Sequence, residues 1–282
     1  GVRNDDIELT EVNYLTNTTT RNDFSENSFK ALEFAIGLAD KKHGKIILVH
    51  VVELVYDFAS RSALALDSMF KDAENLMKKT IASYSGSGVP MESQVVEGNA
   101  SVSIARIAEE LGAALIVMGT QGASGIKKAL MGTVTVNVVK ESSCPVLVVP
   151  AKAKVSEIKK VTLALEFANH EEGFLDWMVN MANKWSFGFE ILHIQTSEGF
   201  LEDLSVLGIE SYLAKKYPGQ ATRIHTFYAE NSMDGLDLYL DEHDDMILVM
   251  CHQHRNLWEQ IIKKSHSIQM AYYTHIPLLI LM

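Results

Sequence analysis

The pattern of apolar positions along the chain alternates between two periods. Phe29, Leu32, Ala35, Ile36, Leu38 and Ala39 recur at helical spacing behind Ser25, a residue suited to capping a helix N-terminus. The stretch Lys45-Ile-Ile-Leu-Val-His-Val-Val52 then reads as a compact strand. An amphipathic segment from about Phe58 to Tyr84 closes at Gly86-Ser-Gly88. Met91 to Val96 predicts a strand, Ala100 to Leu111 a helix ended by Gly112, and Ala114 to Met118 another strand. Thr133 to Lys140 reads as a helix and Val146 to Val149 as a strand. The strands are apolar throughout rather than alternating, which predicts a parallel sheet covered by helices on both faces.

The same order then recurs. Strands are expected at Lys160 to Leu165, Glu190 to Ile194, Arg223 to Tyr228, Met246 to Met250 and Pro277 to Met282. Helices are expected at Glu171 to Lys184, Leu201 to Lys216 and Met233 to Leu240. Leu115-Ile-Val-Met118 matches Ile247-Leu-Val-Met250, and Pro145 matches Pro277, both 132 positions later, while His50 matches His193 at 143. Two βα halves of common ancestry account for this repeat. The expected boundary lies at the short polar connection Ala151-Lys-Ala-Lys154, giving domains 1–152 and 153–282.

Composition narrows the functional classes. With 47% hydrophobic and 22% charged residues, the chain has the balance of a globular protein with a full core. The formal net charge of −11 disfavours generic nucleic-acid binding, which depends on basic surface. No apolar run approaches the ~20 residues of a membrane span, and no opening segment reads as a secretory signal. Two cysteines, Cys144 and Cys251, stand in unrelated contexts, which fits a reducing, cytoplasmic setting.

The stretch Val117-Met-Gly-Thr-Gln-Gly-Ala-Ser-Gly-Ile-Lys-Lys-Ala-Leu-Met-Gly-Thr-Val-Thr135 carries the chemistry. Gly119 ends a buried strand, Gly122 follows, and Gly132-Thr133 opens a helix. Glycine permits the close backbone approach that a phosphate needs, and a helix N-terminus supplies N–H donors and a positive dipole end. Thr133 and Thr135 are candidates to cap the helix or bond a phosphate oxygen. Lys127-Lys128 is equally readable as a phosphate partner or as solvated loop charge. Glycines near a strand end also arise from purely structural turns, and the stretch is neither a Walker A loop nor a Rossmann fingerprint.

The spacing G-x2-G-x9-G-[S/T], followed by a helix and Ser-Cys-Pro-Val-Leu-Val-Val149, resembles the ATP-binding signature of universal stress proteins. Asp23-Phe-Ser-Glu-Asn-Ser28 and the strand ending His-Val-Val-Glu53 are similar to that family too, so the resemblance spans residues 14–150. It implies an α/β fold of two tandem Rossmann-like domains of the adenine nucleotide alpha hydrolase type, each with a five-stranded parallel-type sheet. It also implies an internal pseudo-dimer in which Val146 to Val149 pairs with Leu278 to Leu281, with further homodimerisation left open. The ligand implied is ATP or a related adenine nucleotide, with Mg2+ as a companion. Adenine would lie near Asp23 and Val51, and ribose and phosphates near Met118, Gly119, Gly122, Gly132, Thr133, Val134 and Thr135. Where the family carries an apolar first strand, this chain reads Thr18-Thr-Thr-Arg-Asn-Asp23, either a polar strand or a surface segment. Arg21 and Asn22 then replace the usual adenine neighbours, and Arg21 could favour another anion.

In the second half Gly119 becomes Cys251, Gly122 becomes His254, and Gly132-Thr133 becomes Lys264-Ser265. Bulky side chains at all three glycine positions predict a retained fold without the nucleotide site. Cys251-His-Gln-His254 invites a zinc reading, but no second Cys/His pair stands nearby to complete four ligands, and His266 or His275 could contribute only if the fold brings them close; polar loop residues are the plainer alternative. Trp258, Met270, Tyr272 and Tyr273 suit core or interface packing, and Asp241 to Asp245 a solvated turn. No catalytic constellation emerges. The leading expectation is a nucleotide-responsive stress sensor or adaptor acting on protein partners. The alternatives are a slow Mg-dependent ATPase, with Asp23 as the marked carboxylate, and a nucleotide-free protein-interaction scaffold.

Overall fold

A computed structural model describes residues 13–17, 26–40, 44–53, 63–120, 132–165, 171–197, 199–253, 258 and 275–282. The first half runs β1 (Asn13–Asn17), α1 (Glu26–Asp40), β2 (Lys45–Val52), α2 (Ala63–Ser83), β3 (Met91–Glu97), α3 (Ala100–Glu110), β4 (Leu115–Gly119), α4 (Thr133–Glu141) and β5 (Val146–Val149). The second follows with β6 (Lys160–Leu165), α5 (Glu172–Trp185), β7 (Gly188–Gln195), α6 (Phe200–Lys216), β8 (Thr222–Tyr228), α7 (Ser232–Glu242), β9 (Met246–Cys251) and β10 (Leu278–Leu281).

The first strand corrects one expectation. It lies at Asn13–Asn17, ahead of the threonine run, while residues 18–25 fall outside the described ones. Its place is central, paired in parallel with both β2 and β4. The expectation of uniformly apolar strands also fails at β3 and β8. Both are largely exposed or half-buried, because they close the two outer edges of the sheet. Only inner strands need two apolar faces.

Among the described residues ten strands join one sheet in the order β3-β2-β1-β4-β5-β10-β9-β6-β7-β8. Within each half the pairs are parallel, and β5 meets β10 antiparallel. At this seam Leu279 faces Leu147, Ile280 faces Val146 and Leu278 faces Val148. Residues 132 positions apart thus exchange partners reciprocally about Leu147 and Leu279, the geometry of a two-fold interface closed within one chain. The repeat extends to backbone bonds: the Thr120 N–H donates to the Val149 carbonyl at 3.2 Å, and the His252 N–H to the Leu281 carbonyl at 2.6 Å. Asn99 caps α3 by accepting the Val102 N–H, and Asn231 caps α7 by accepting the Asp234 N–H.

Two apolar layers sandwich the sheet. One packs α1, α2, α5 and α6 against it, and the other packs α3, α4 and α7, with both layers continuing across the seam. The connection between halves is only partly polar. Lys152 and Lys154 are exposed, but Ala153 and Ile158 are buried, and Val155 lies against α1. There a Cβ on Gly37 would come within 2.2 Å of Val155 Cγ1, so only glycine lets the linker lie down.

The second half also buries a charged cluster. Glu190 Oε2 accepts from Lys160 Nζ at 2.9 Å and from the Tyr239 hydroxyl at 3.2 Å, with His225 Nε2 3.2 Å away. Burial alone would raise the Glu190 carboxyl, but hydrogen bonding and charge from Lys160, with His225 and Tyr239, hold it below its ordinary value. A depressed carboxylate contributes stability fully above its unfolded pKa of about 4.3, and that contribution fades as pH falls through the lower folded value. Urea midpoints measured between pH 3 and pH 7 are therefore expected to fall on the acid side. Glu190→Gln should flatten that acid limb, and an unchanged limb would place the acid sensitivity elsewhere.

Candidate functional site

The site is built where β4 ends and α4 begins. β4 is buried between β1 and β5, so its C-terminal end at Gly119 emerges from the middle of the first half's sheet. The Thr120 bond to Val149 carries the pairing one residue past the strand. On the far side of the loop, the Gly132 N–H donates to the Thr120 carbonyl at 2.5 Å, which fixes the start of α4 against the end of β4. A second tie comes from Thr135, whose buried hydroxyl donates to the Gly119 carbonyl at 3.1 Å.

These ties aim the N-terminus of α4 along the carboxyl edge of a parallel sheet, the usual ligand side of such folds. The amides of Thr133, Val134 and Thr135 belong to the first turn, which no helix can pair internally, and they mark the positive end of the helix dipole. Gly119 and Gly132 put no side chain in front of them. The arrangement suits an anion with several oxygens.

The threonine roles differ from expectation. Gly132, not Thr133, is the N-cap, at φ −68° and ψ 155°, and no side chain caps the helix. Thr133 is exposed in the first helical position. Thr135 points inward and secures the strand end, since a buried hydroxyl takes the nearest acceptor. Val134 is half-buried.

Met118 and Val51 are both buried in the same apolar layer, so their side chains form the floor and only their backbones can reach a ligand. Register sets Leu48 level with Val117 across Thr16 of β1, so Val51 and Thr120, each three residues further on, lie on the same edge, roughly 10 Å apart at ordinary strand spacing. The structure therefore gathers Met118, Gly119, Gly132, Thr133, Val134 and Thr135 closely, with Val51 on the same edge. Asp23 and Gly122 lie outside the described residues, as do Arg21, Asn22, Lys127 and Lys128.

Sequence reasoning missed two contributors. Thr120 is buried and supplies the carbonyl that anchors Gly132. Glu53, just past β2, accepts the Ala100 N–H at 3.0 Å and so occupies the N-terminus of α3 beside the site. Its signal was an acidic residue ending a strand, which is a common partner for a helix N-terminus.

The second half departs at the equivalent place. Cys251 is fully buried in β9 where Gly119 stands in β4. Trp258 is fully buried too, and its Nε1–H donates to the His252 carbonyl at 3.0 Å while the two rings stack with centroids 5.4 Å apart. Core packing is thus the observed role of Trp258. His254, Lys264, Ser265, His266, Met270, Tyr272 and Tyr273 lie outside the described residues. Among the described residues no group of three His, Cys, Asp or Glu side chains is placed to hold a metal ion.

A model of the universal stress protein family matches residues 22–150. Universal stress protein MJ0531 of Methanocaldococcus jannaschii is 31% identical over 137 residues, covering 47% of this chain and 80% of that protein. Universal stress protein Sll1654 of Synechocystis is 33% identical over 128 residues, covering 45% of this chain and 81% of that one. The chain belongs to the universal stress protein family. Its whole length also shares a fold with a universal stress protein from Archaeoglobus fulgidus, which superposes with a TM-score of 0.71 at 19% identity, covering 95% of this chain and 97% of that one. As a universal stress protein it has the expected α/β architecture with a second half joined as an internal pseudo-dimer. Among the described residues no helix is long and apolar enough to cross a membrane.

Proposed function

We propose that this universal stress protein binds ATP or a related adenine nucleotide in its first half and acts as a stress-response sensor or adaptor. In this reading residues 1–152 are the nucleotide-binding domain and residues 153–282 a degenerate universal stress protein domain. The observation that carries the proposal is the N-terminus of α4 tied to the end of β4 through two glycines, by the Gly132 N–H to the Thr120 carbonyl and by the Thr135 hydroxyl to the Gly119 carbonyl. Phosphate oxygens would meet the amides of Thr133, Val134 and Thr135. The backbones of Met118 and Gly119 would line the ribose side, and Val51 the adenine side, with Asp23 and Gly122 completing the pocket. Mg2+ accompanying a triphosphate would offset part of its negative charge.

No equivalent cradle is expected in the second half, where Cys251, His254 and Lys264 stand at the positions of Gly119, Gly122 and Gly132. One nucleotide per chain is the expected stoichiometry. Small molecules released from the purified protein are to be identified, followed by calorimetric titration with ATP, ADP and AMP. One adenine nucleotide bound per chain supports the reading. No released ligand and no heat with any nucleotide would overturn it, leaving the loop as inherited architecture.

A further inference from the structure

Helix α6 is apolar on two opposite sides. Leu213 is buried toward the sheet, with Val206 and Ile209 half-buried behind it. On the outer side Phe200, Leu201, Leu204 and Leu207 are 75%, 76%, 45% and 60% exposed. Phe200, Leu204 and Leu207 follow the four-then-three spacing that lines residues along one helix face. Helices with apolar residues all round are normally covered, and a contiguous exposed apolar strip marks an interaction surface.

The surroundings of the strip favour one kind of occupant. Gly208 borders it and also lines a cleft of about 310 Å³ between α5 and α6, together with Leu165, Leu175, Ile209 and the buried Glu171. A cleft of this size accepts a protruding anchor side chain. On the opposite flank Asp203 and Glu210 are exposed about two turns apart along the helix, and the exposed Lys215 lies beyond the end of the strip. A second copy packed antiparallel along the strip would pair this flank with itself and bring these carboxylates together. An anionic lipid surface would meet the same repulsion. A cationic helix would not.

We propose that the outer face of α6, with the adjoining α5–α6 cleft, is the docking surface for a basic amphipathic helix of a partner protein. The partner lays an apolar stripe along Phe200, Leu204 and Leu207, sets one anchor residue in the cleft, and places lysines or arginines beside Asp203 and Glu210. The net charge of −11 over the whole chain favours approach of a cationic partner to the protein as a whole. This surface lies in the second half and does not depend on nucleotide binding in the first.

The test is fluorescence anisotropy with the full chain and a labelled helical peptide of leucines at i, i+3, i+4 and i+7 with lysines elsewhere, at physiological ionic strength. The double change Leu204→Ser with Leu207→Ser keeps the charge, and Asp203→Asn with Glu210→Gln keeps the apolar strip. Each is expected to weaken binding about tenfold, with circular dichroism unchanged because all four positions are exposed. A peptide with glutamates in place of the lysines should bind at least about tenfold more weakly. Binding that neither double variant alters would overturn the proposal. So would a dimer in sedimentation that Leu204→Ser with Leu207→Ser dissolves, which would make the occupant a second copy, or equal attachment to anionic vesicles.

Discussion

Replacing Gly132 with aspartate is expected to weaken ATP binding at least about a hundredfold, or about 2.7 kcal/mol, while leaving the protein folded. Gly132 caps α4 with extended backbone angles that any L-residue adopts, so the substitution adds no backbone strain. Aspartate is also among the preferred N-cap residues, and it improves on glycine by a few tenths of a kcal/mol. Its carboxylate would bond the first-turn amides that the proposal gives to phosphate. Like charges about 4 Å apart repel by about 4 kcal/mol at an effective dielectric near 20, more than the hundredfold loss requires. Calorimetry with ATP, alongside a urea denaturation of the variant, separates binding from folding. A variant that is stable and still binds within about threefold of the parent would remove the nucleotide from the helix N-terminus. It would leave the partner surface on α6 untouched.

The second large effect is expected at the seam. Leu279→Asp should destabilise the chain by about 4–6 kcal/mol, a large part of an ordinary folding free energy. Leu279 is fully buried between Leu147 and Val249, so the new carboxylate loses hydration and gains no partner. Truncating a buried leucine alone costs about 2–5 kcal/mol. Both apolar layers cross the seam, so loss of packing there should spread to both halves. All three tryptophans, Trp177, Trp185 and Trp258, lie in the second half, whereas far-UV circular dichroism reports on the whole chain. In the unaltered protein the two signals should trace one coincident urea transition. In Leu279→Asp that transition should move to much lower urea. A tryptophan transition that shifts alone, with half of the helical signal left in place, would show that the halves fold independently.

The inner strands were legible in the sequence because apolar residues on both faces are what a covered parallel strand requires. β2, β4, β5, β6, β9 and β10 fall within a residue or two of their expected bounds. The repeat was legible for a related reason: each half must rebuild the same layers, so spacing is kept where side chains are not. The outer strands β3 and β8 were placed correctly, but their exposure follows from position in the sheet, not from composition. The first strand was displaced toward the threonine run, since a five-residue segment flanked by asparagines gives too little apolar signal. Its central position is enforced by β2 and β4 on either side.

At the site, residue types and spacing determined that glycines would meet a helix N-terminus, because close backbone approach is a local property of glycine. Which threonine caps and which anchors was decided only when β4 and α4 came together. A buried hydroxyl must find an acceptor, and the Gly119 carbonyl was the one within reach of Thr135. The carbonyl of Thr120 and the carboxylate of Glu53 entered the site in the same way, through neighbours distant along the chain. The outer apolar face of α6 was likewise invisible beforehand, since a helix apolar on two sides reads as buried until the sheet claims only one of them. Local preference thus determined the elements and the glycine loop; packing and hydrogen-bond satisfaction, which depend on partners remote in sequence, decided their roles.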